Sequence, residues 1–181
     1  MSDFASFDLR PWLRAVPDFP KPGILFQDIT PLLGNPEAFT ASIDALETLL
    51  RPLQPTALAA IESRGFLFAA PLCERLNAGI LALRKPGKLP WKTIKHSYAL
   101  EYGQATLEVH TDGVGPEDRV VIVDDLLATG GTAAAAATLI RKLGAEVTAA
   151  AFVVELTDLQ GRAHLPEMEV LSLVQIGDNT D

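Results

Sequence analysis

Apolar residues along this chain fall in short continuous runs separated by helical periodicities, and that alternation sets the fold. The clearest run is Arg119–Asp125, "RVVIVDD": four consecutive apolar residues between charges read as a strand buried on both faces. Helical spacing from Thr132 to Leu143 follows it, ended by Gly144. The same alternation occurs upstream. Thr56–Ile61 reads as a short buried strand, "ESRG" as a loop, Phe66–Leu76 as a helix, and "GILALRK" as the next strand. Asn35 followed by Pro36 is a helix start, and Phe39, Ile43, Leu46, Leu49 and Leu50 mark its apolar face. "EVTAAAFVVE" and "EVLSLVQI" complete the strands. Residues Phe7 to Val16 read as a short helix broken at Pro11, and the proline-rich, apolar "PDFPKPGILFQDITPLLGNP" as a segment that folds over something. Ser97–His110 reads as two antiparallel strands around a turn at Gly103.

Strands separated by helices require parallel crossovers. The predicted class is therefore α/β: a mostly parallel sheet with helices on both faces, an N-terminal hood segment and an antiparallel flap. One domain is expected over residues 1–181, with 1–34 as the hood and 85–110 as a flexible loop and flap. With 181 residues, 48% of them hydrophobic, the chain is long and apolar enough for a sizeable core.

Charge narrows the partners. Fifteen Lys and Arg against 23 Asp and Glu give a formal charge of −8, which disfavours nucleic acid and anionic membranes. A local basic site for a small anion remains compatible with that total. Cys73 is the only cysteine, the N-terminus has no secretory pattern, and no segment is long and apolar enough to span a bilayer; the expectation is a cytoplasmic protein. His96, His110 and His164 are far apart and form no zinc pattern.

Asp124 and Asp125 stand where the long strand meets its loop, and ligands of open parallel sheets bind beyond the carboxyl ends of strands. Two adjacent carboxylates repel and are costly to bury unpaired, so they call for hydroxyl donors or a cation. A ribose diol supplies the first and Mg²⁺ the second. Ala128, Thr129, Gly130, Gly131 and Thr132 then lead into a helix whose first amides lack internal partners. Two glycines let that backbone wrap an anion, and the threonines add hydroxyls. The combination predicts a sugar phosphate. A Walker loop is excluded because no lysine follows the glycines, and a dinucleotide fingerprint because the glycines are only two and adjacent.

"VVIVDDLLATGGT" resembles the phosphoribosyl-pyrophosphate (PRPP) signature of the type I phosphoribosyltransferases. "FPKPGILFQDITPLL", "ESRGFLF", "LRKPGKLP" and "YALEYG" resemble, in order, blocks of the adenine phosphoribosyltransferase family within that class. The similarity runs from about Phe19 to about Thr157. It implies transfer of the 5-phosphoribosyl group from PRPP to N9 of adenine, giving AMP and pyrophosphate. It also implies Mg²⁺ bound mainly through PRPP, with no protein ligand assigned, and a homodimer.

By the same resemblance, Asp124 and Asp125 hold the ribose hydroxyls and Ala128 to Thr132 the 5′-phosphate. Arg64, Arg84, Lys85 and Lys88 reach the pyrophosphate, the last three sometimes from a partner subunit. A cis peptide is expected between Glu62 and Ser63. Backbone groups of Leu25 and Gln27 read the adenine edge, Phe26 stacks on the ring and Leu156 closes its other face. The Glu101 carboxyl faces adenine N7 or N9 and manages the proton lost from N9, and Tyr102 shields the reacting centre. "WKTIKHS" (Trp91–Ser97) fits no assigned pattern. Two other readings stay open: a phosphoribosyltransferase for another purine such as xanthine, and a non-catalytic PRPP-sensing regulator. Against the regulator, no DNA-binding segment is recognised before Phe19 and the net charge is acidic.

Overall fold

A computed structural model describes residues 7–100 and 103–177 of the chain. Two compact units are distinguished, Met1–Ala45 and Leu46–Asp181.

In the first unit a 3-10 turn at Arg10–Trp12 leads into β1 (Arg14–Val16), which pairs antiparallel with β2 (Phe26–Asp28). The expected helix over Phe7–Val16 is thus replaced by a turn and a strand. Pro11 fits the first positions of the 3-10 turn and Leu13 is already extended. Arg14 secures the pair by donating to Asp28 at 2.6 Å and to Thr30 at 3.0 Å. Backbone and side-chain bonds from Thr30, together with Arg14, outweigh desolvation and hold the Asp28 carboxyl below its ordinary pKa. A short helix, α1 (Thr30–Gly34), then precedes α2 (Pro36–Leu50), which runs on past Ala45, the last residue of this unit. As expected, Asn35 caps α2: its Oδ1 accepts the Ala38 N–H at 2.8 Å.

The second unit is built on five parallel strands in the order β4-β3-β7-β8-β9. These are β3 (Ala57–Ile61), β4 (Gly79–Leu83), β7 (Arg119–Leu127), β8 (Glu146–Leu156) and β9 (Glu169–Ile176). Helix α3 (Gly65–Leu76) crosses from β3 to β4, and α4 (Gly131–Lys142) from β7 to β8. The two crossovers run outward in opposite directions from the adjacent strands β3 and β7. Right-handed connections then put the two helices on opposite faces of the sheet.

Side-chain alternation agrees. Ala57, Ala59, Ile61, Val120 and Ile122 share one core cluster with Ala133, Ala136, Leu139 and Ile140 of α4. Leu58, Ala60, Val121 and Val123 point the other way and lie outside that cluster, as do Phe68, Ala69 and Leu72 of α3. The alanine run of α4 lets its axis approach the sheet closely while keeping high helix propensity. Both predicted layers are therefore present.

The flap is a two-stranded antiparallel sheet, β5 (Thr93–Leu100) with β6 (Gly103–His110). Its first strand begins at Thr93, inside the segment to which the sequence assigned no pattern. Reciprocal backbone bonds between Arg84 and Glu108, at 3.0 and 2.7 Å, tie β6 to the chain leaving β4.

Candidate active site

The order of the strands locates the site. Between β3 and β7 the connections diverge, leaving a crevice at the carboxyl ends of these two strands. A cavity of about 710 Å³ opens there, lined by the loop after β3, the end of β7, the Ala128–Thr132 loop and β6.

From the β3 side come Glu62, Ser63 and Arg64. The Glu62–Ser63 peptide is cis, as the resemblance implied. Arg64 reaches across to β7 and donates from Nε to Oδ2 of Asp125 at 2.5 Å. Glu62, almost fully buried, gathers the basic residues that follow β4. It accepts from Arg84 Nε at 3.2 Å, from the Lys85 N–H at 3.0 Å and from the Lys88 ammonium. Burial pushes the Glu62 carboxyl up, but these donors outweigh it and hold its pKa at about 2. Arg84 and Lys88 of the basic cluster thus form ion pairs with a carboxylate that the sequence reading did not single out, and Lys85 joins them through its backbone N–H. Arg84 additionally lies 5.8 Å over the ring of Phe66.

From the β7 side come the paired acids. The strand continues to Leu127, so Asp124 and Asp125 sit within its last turn of pleat rather than beyond its end. Asp125 is 4% exposed and meets Arg64. Asp124 uses Oδ1 to accept the Asp125 N–H at 2.9 Å. Burial, and after it the negative charge of Asp125, raises the Asp124 pKa well above the usual carboxylate range. Both residues line the cavity. Gly65, the first residue of α3, permits this: a Cβ there would stand 2.6 Å from the Val123 carbonyl and 3.1 Å from Asp124 Oδ1.

Ala128 to Thr132 form the floor. Gly130 has φ +83°, a left-handed conformation suited to glycine, and is the N-cap of α4. The loop side chains are small, and Ala128 to Thr132 all line the cavity. Thr132 Oγ1 lies 3.0 Å from the Tyr98 hydroxyl of β5, a contact that links flap and loop and was not anticipated.

Glu101 and Tyr102 lie outside the described residues. Leu25, Phe26 and Gln27 belong to the first unit. There Leu25 is 55% exposed, Phe26 meets the Phe19 ring edge-on at 5.1 Å, and Gln27 is buried. Leu156 ends β8 and is half-buried. Its neighbour Glu155, also absent from the sequence reading, is buried and forms a fork-to-fork pair with Arg162, both bonds at 2.6 Å. A lone acid closing the apolar run "AAFVVE" was the available signal.

Among the described residues, no group of three or more His, Cys, Asp or Glu is arranged to hold a metal ion. Asp124 and Asp125 offer hard oxygen donors at the cavity wall, a set compatible with Mg²⁺ that keeps waters or substrate oxygens as its remaining ligands. No helix among the described residues is long and apolar enough to cross a membrane.

Comparison with known proteins agrees with this geometry. A family model described as the phosphoribosyl transferase domain matches residues 29–176. An adenine phosphoribosyltransferase of Synechococcus sp. is 54% identical over 92% of this chain and 98% of its own. The crystal structure of the adenine phosphoribosyltransferase of Thermoanaerobacter pseudethanolicus superposes with a TM-score of 0.90 at 49% identity, covering 93% of this chain and 98% of that one. That from Saccharomyces cerevisiae, complexed with an imino-altritol bisphosphate and adenine, gives 0.87 at 39% identity over 92% and 96% of the two chains. The chain belongs to the phosphoribosyltransferase family, on its adenine phosphoribosyltransferase branch.

Proposed function

We propose that this protein salvages purine by transferring the 5-phosphoribosyl group of PRPP to N9 of adenine, releasing AMP and pyrophosphate. The observation that supports it most is the pairing of Asp124 and Asp125 with a glycine-bearing helix N-terminus at the β3/β7 switch point. A diol and a phosphate, five bonds apart on one sugar, match that pair of subsites. Relatives named adenine phosphoribosyltransferase at 54% identity favour adenine as the acceptor.

In this reading Asp124 and Asp125 take the ribose hydroxyls, and their negative field favours the positive charge that develops on the sugar. The amides from Ala128 to Thr132 take the 5′-phosphate. Arg64 presents a guanidinium to the pyrophosphate, with Arg84, Lys85 and Lys88 close behind through Glu62. Mg²⁺ bound mainly through PRPP neutralises the leaving group. Leu25, Phe26, Gln27 and Leu156 are assigned to adenine. A backbone carbonyl and N–H suffice to separate a 6-amino from a 6-oxo purine, because the wrong base leaves buried groups unpaired. Glu101 is assigned the N9 proton and Tyr102 the exclusion of water. A homodimer working in the cytoplasm completes the proposal.

Pyrophosphate release from PRPP and Mg²⁺ with adenine, hypoxanthine, guanine or xanthine tests it. Release with adenine at least 100-fold faster than with the others supports the reading. Preference for xanthine, or no release with any base, refutes it.

A further inference from the structure

Behind the phosphate loop stands the turn that follows β8. This turn consists of 3-10 segments at Thr157–Leu159 and Gly161–His164. Gly161 presses on the loop with nothing but backbone. A methyl on Gly130 would collide with the Gly161 carbonyl oxygen and stand 3.1 Å from its carbon. A methyl on Gly161 would in turn collide with the Ala128 carbonyl and come within 2.9 Å of the Leu127 side chain. The two backbones touch with no side chain between them.

Arg162, the next residue, fixes the turn. Its Nε and Nη2 donate to the two carboxylate oxygens of Glu155, each at 2.6 Å. Its Nη1 donates to the Val170 carbonyl at 2.6 Å and its Nη2 to Ser172 Oγ at 3.2 Å. Glu155 also accepts from Ser172 at 2.7 Å and Gln175 at 3.3 Å, so the buried carboxylate has donors on both oxygens. In the sheet Glu155 pairs in register with Leu127, the last residue of β7 before the loop. The ion pair therefore closes a ring: β7, β8, Glu155, Arg162, Gly161 and back to the loop.

We propose that Arg162, through its ion pair with Glu155, is a positioning residue that braces the phosphate loop by holding Gly161 against Ala128 and Gly130. This rests on the reading of Ala128–Thr132 as the 5′-phosphate site. The loop has small side chains and a left-handed glycine, so it cannot stiffen itself by packing. Amides that grip an anion must nevertheless be set to within about 0.5 Å. The turn supplies that rigidity without touching the ligand.

Isothermal titration of the full-length protein with AMP and, separately, adenosine tests the brace, with urea titration confirming the fold. Arg162→Ala is expected to weaken AMP at least tenfold and adenosine less than twofold, because adenosine lacks the phosphate. Arg162→Lys, which keeps the charge but loses the fork, should recover part of the loss. Gly161→Ala leaves the ion pair intact, disturbs the loop directly and should reproduce the selective loss. Wild-type AMP affinity in folded Arg162→Ala and Gly161→Ala overturns the brace, as does equal loss of AMP and adenosine. A wild-type protein that binds no AMP overturns the phosphate-site reading itself.

Discussion

Arg64 donates from Nε to Oδ2 of Asp125 at 2.5 Å, joining the loop after β3 to the acid pair of β7 across 61 positions of sequence. One bond thus spans the switch point and, in the proposed function, couples the side assigned to pyrophosphate to the side assigned to ribose. Asp125 is almost fully buried while Arg64 is half-exposed, so removing the arginine strands the acid. Arg64→Ala is expected to lower kcat/KM for PRPP by roughly 10- to 100-fold, the scale of one charge-assisted hydrogen bond. Arg64→Lys should recover only part, since an ammonium lacks the fork. Steady-state kinetics at saturating adenine check this, and wild-type kcat/KM in Arg64→Ala contradicts it.

Asp124 holds a proton more tightly folded than unfolded, so the folded state binds more protons. Stability contributed this way is present at low pH and is lost as pH rises above 3.8 toward the raised folded value. Asp124→Asn removes the ionisation. The variant should melt a few degrees above wild type at pH 7.5, the shift that about 1 kcal/mol produces in a domain of this size. Its advantage should shrink toward pH 4, while its PRPP affinity falls. Melting curves across pH decide; a variant less stable than wild type at pH 7.5 contradicts the assignment.

Glu62 has the opposite sign. Its folded pKa of about 2 lies below the ordinary 4.5, so the network with Lys88, Lys85 and Arg84 stabilises fully above pH 4.5 and fades as pH falls toward 2. Glu62→Gln should lose less stability than wild type between pH 5 and pH 3, and should raise KM for PRPP by releasing the basic residues. Urea unfolding at the two pH values, with PRPP kinetics at pH 7.5, measures both effects.

Gly65 admits α3 to the back of β7. Gly65→Ala places a methyl 2.6 Å from backbone, which cannot yield as a flexible side chain would. A loss of about 1–3 kcal/mol is expected, the usual cost of overpacking. Because the strand it displaces bears Asp124, affinity for PRPP should fall more than affinity for adenine. Urea unfolding and paired titrations show whether it does.

What the sequence revealed depended on how local each signal was. β7 and α4 were legible because an unbroken apolar run, two acids and a glycine pair lie within 20 residues. The hairpin of β1 and β2 was hidden: its strands are three residues each, and exposed Arg14 and Ala15 give no alternation. The start of β5 was hidden because "WKTIKH" is basic and its partner strand supplies the pairing. The sequence pointed to Glu62 only through the "ESRG" motif and the cis peptide expected after it; its partners lie 22 to 26 residues away and only folding reveals them. Glu155 and Arg162 escaped for the same reason, since Ser172 and Gln175 arrive from the next strand.

A crystal structure with bound AMP puts the whole account to the test. The 5′-phosphate is predicted within hydrogen-bond distance of backbone amides between Thr129 and Thr132, with the ribose hydroxyls on Asp124 and Asp125. A nucleotide seated elsewhere, its phosphate away from the start of α4, would contradict it.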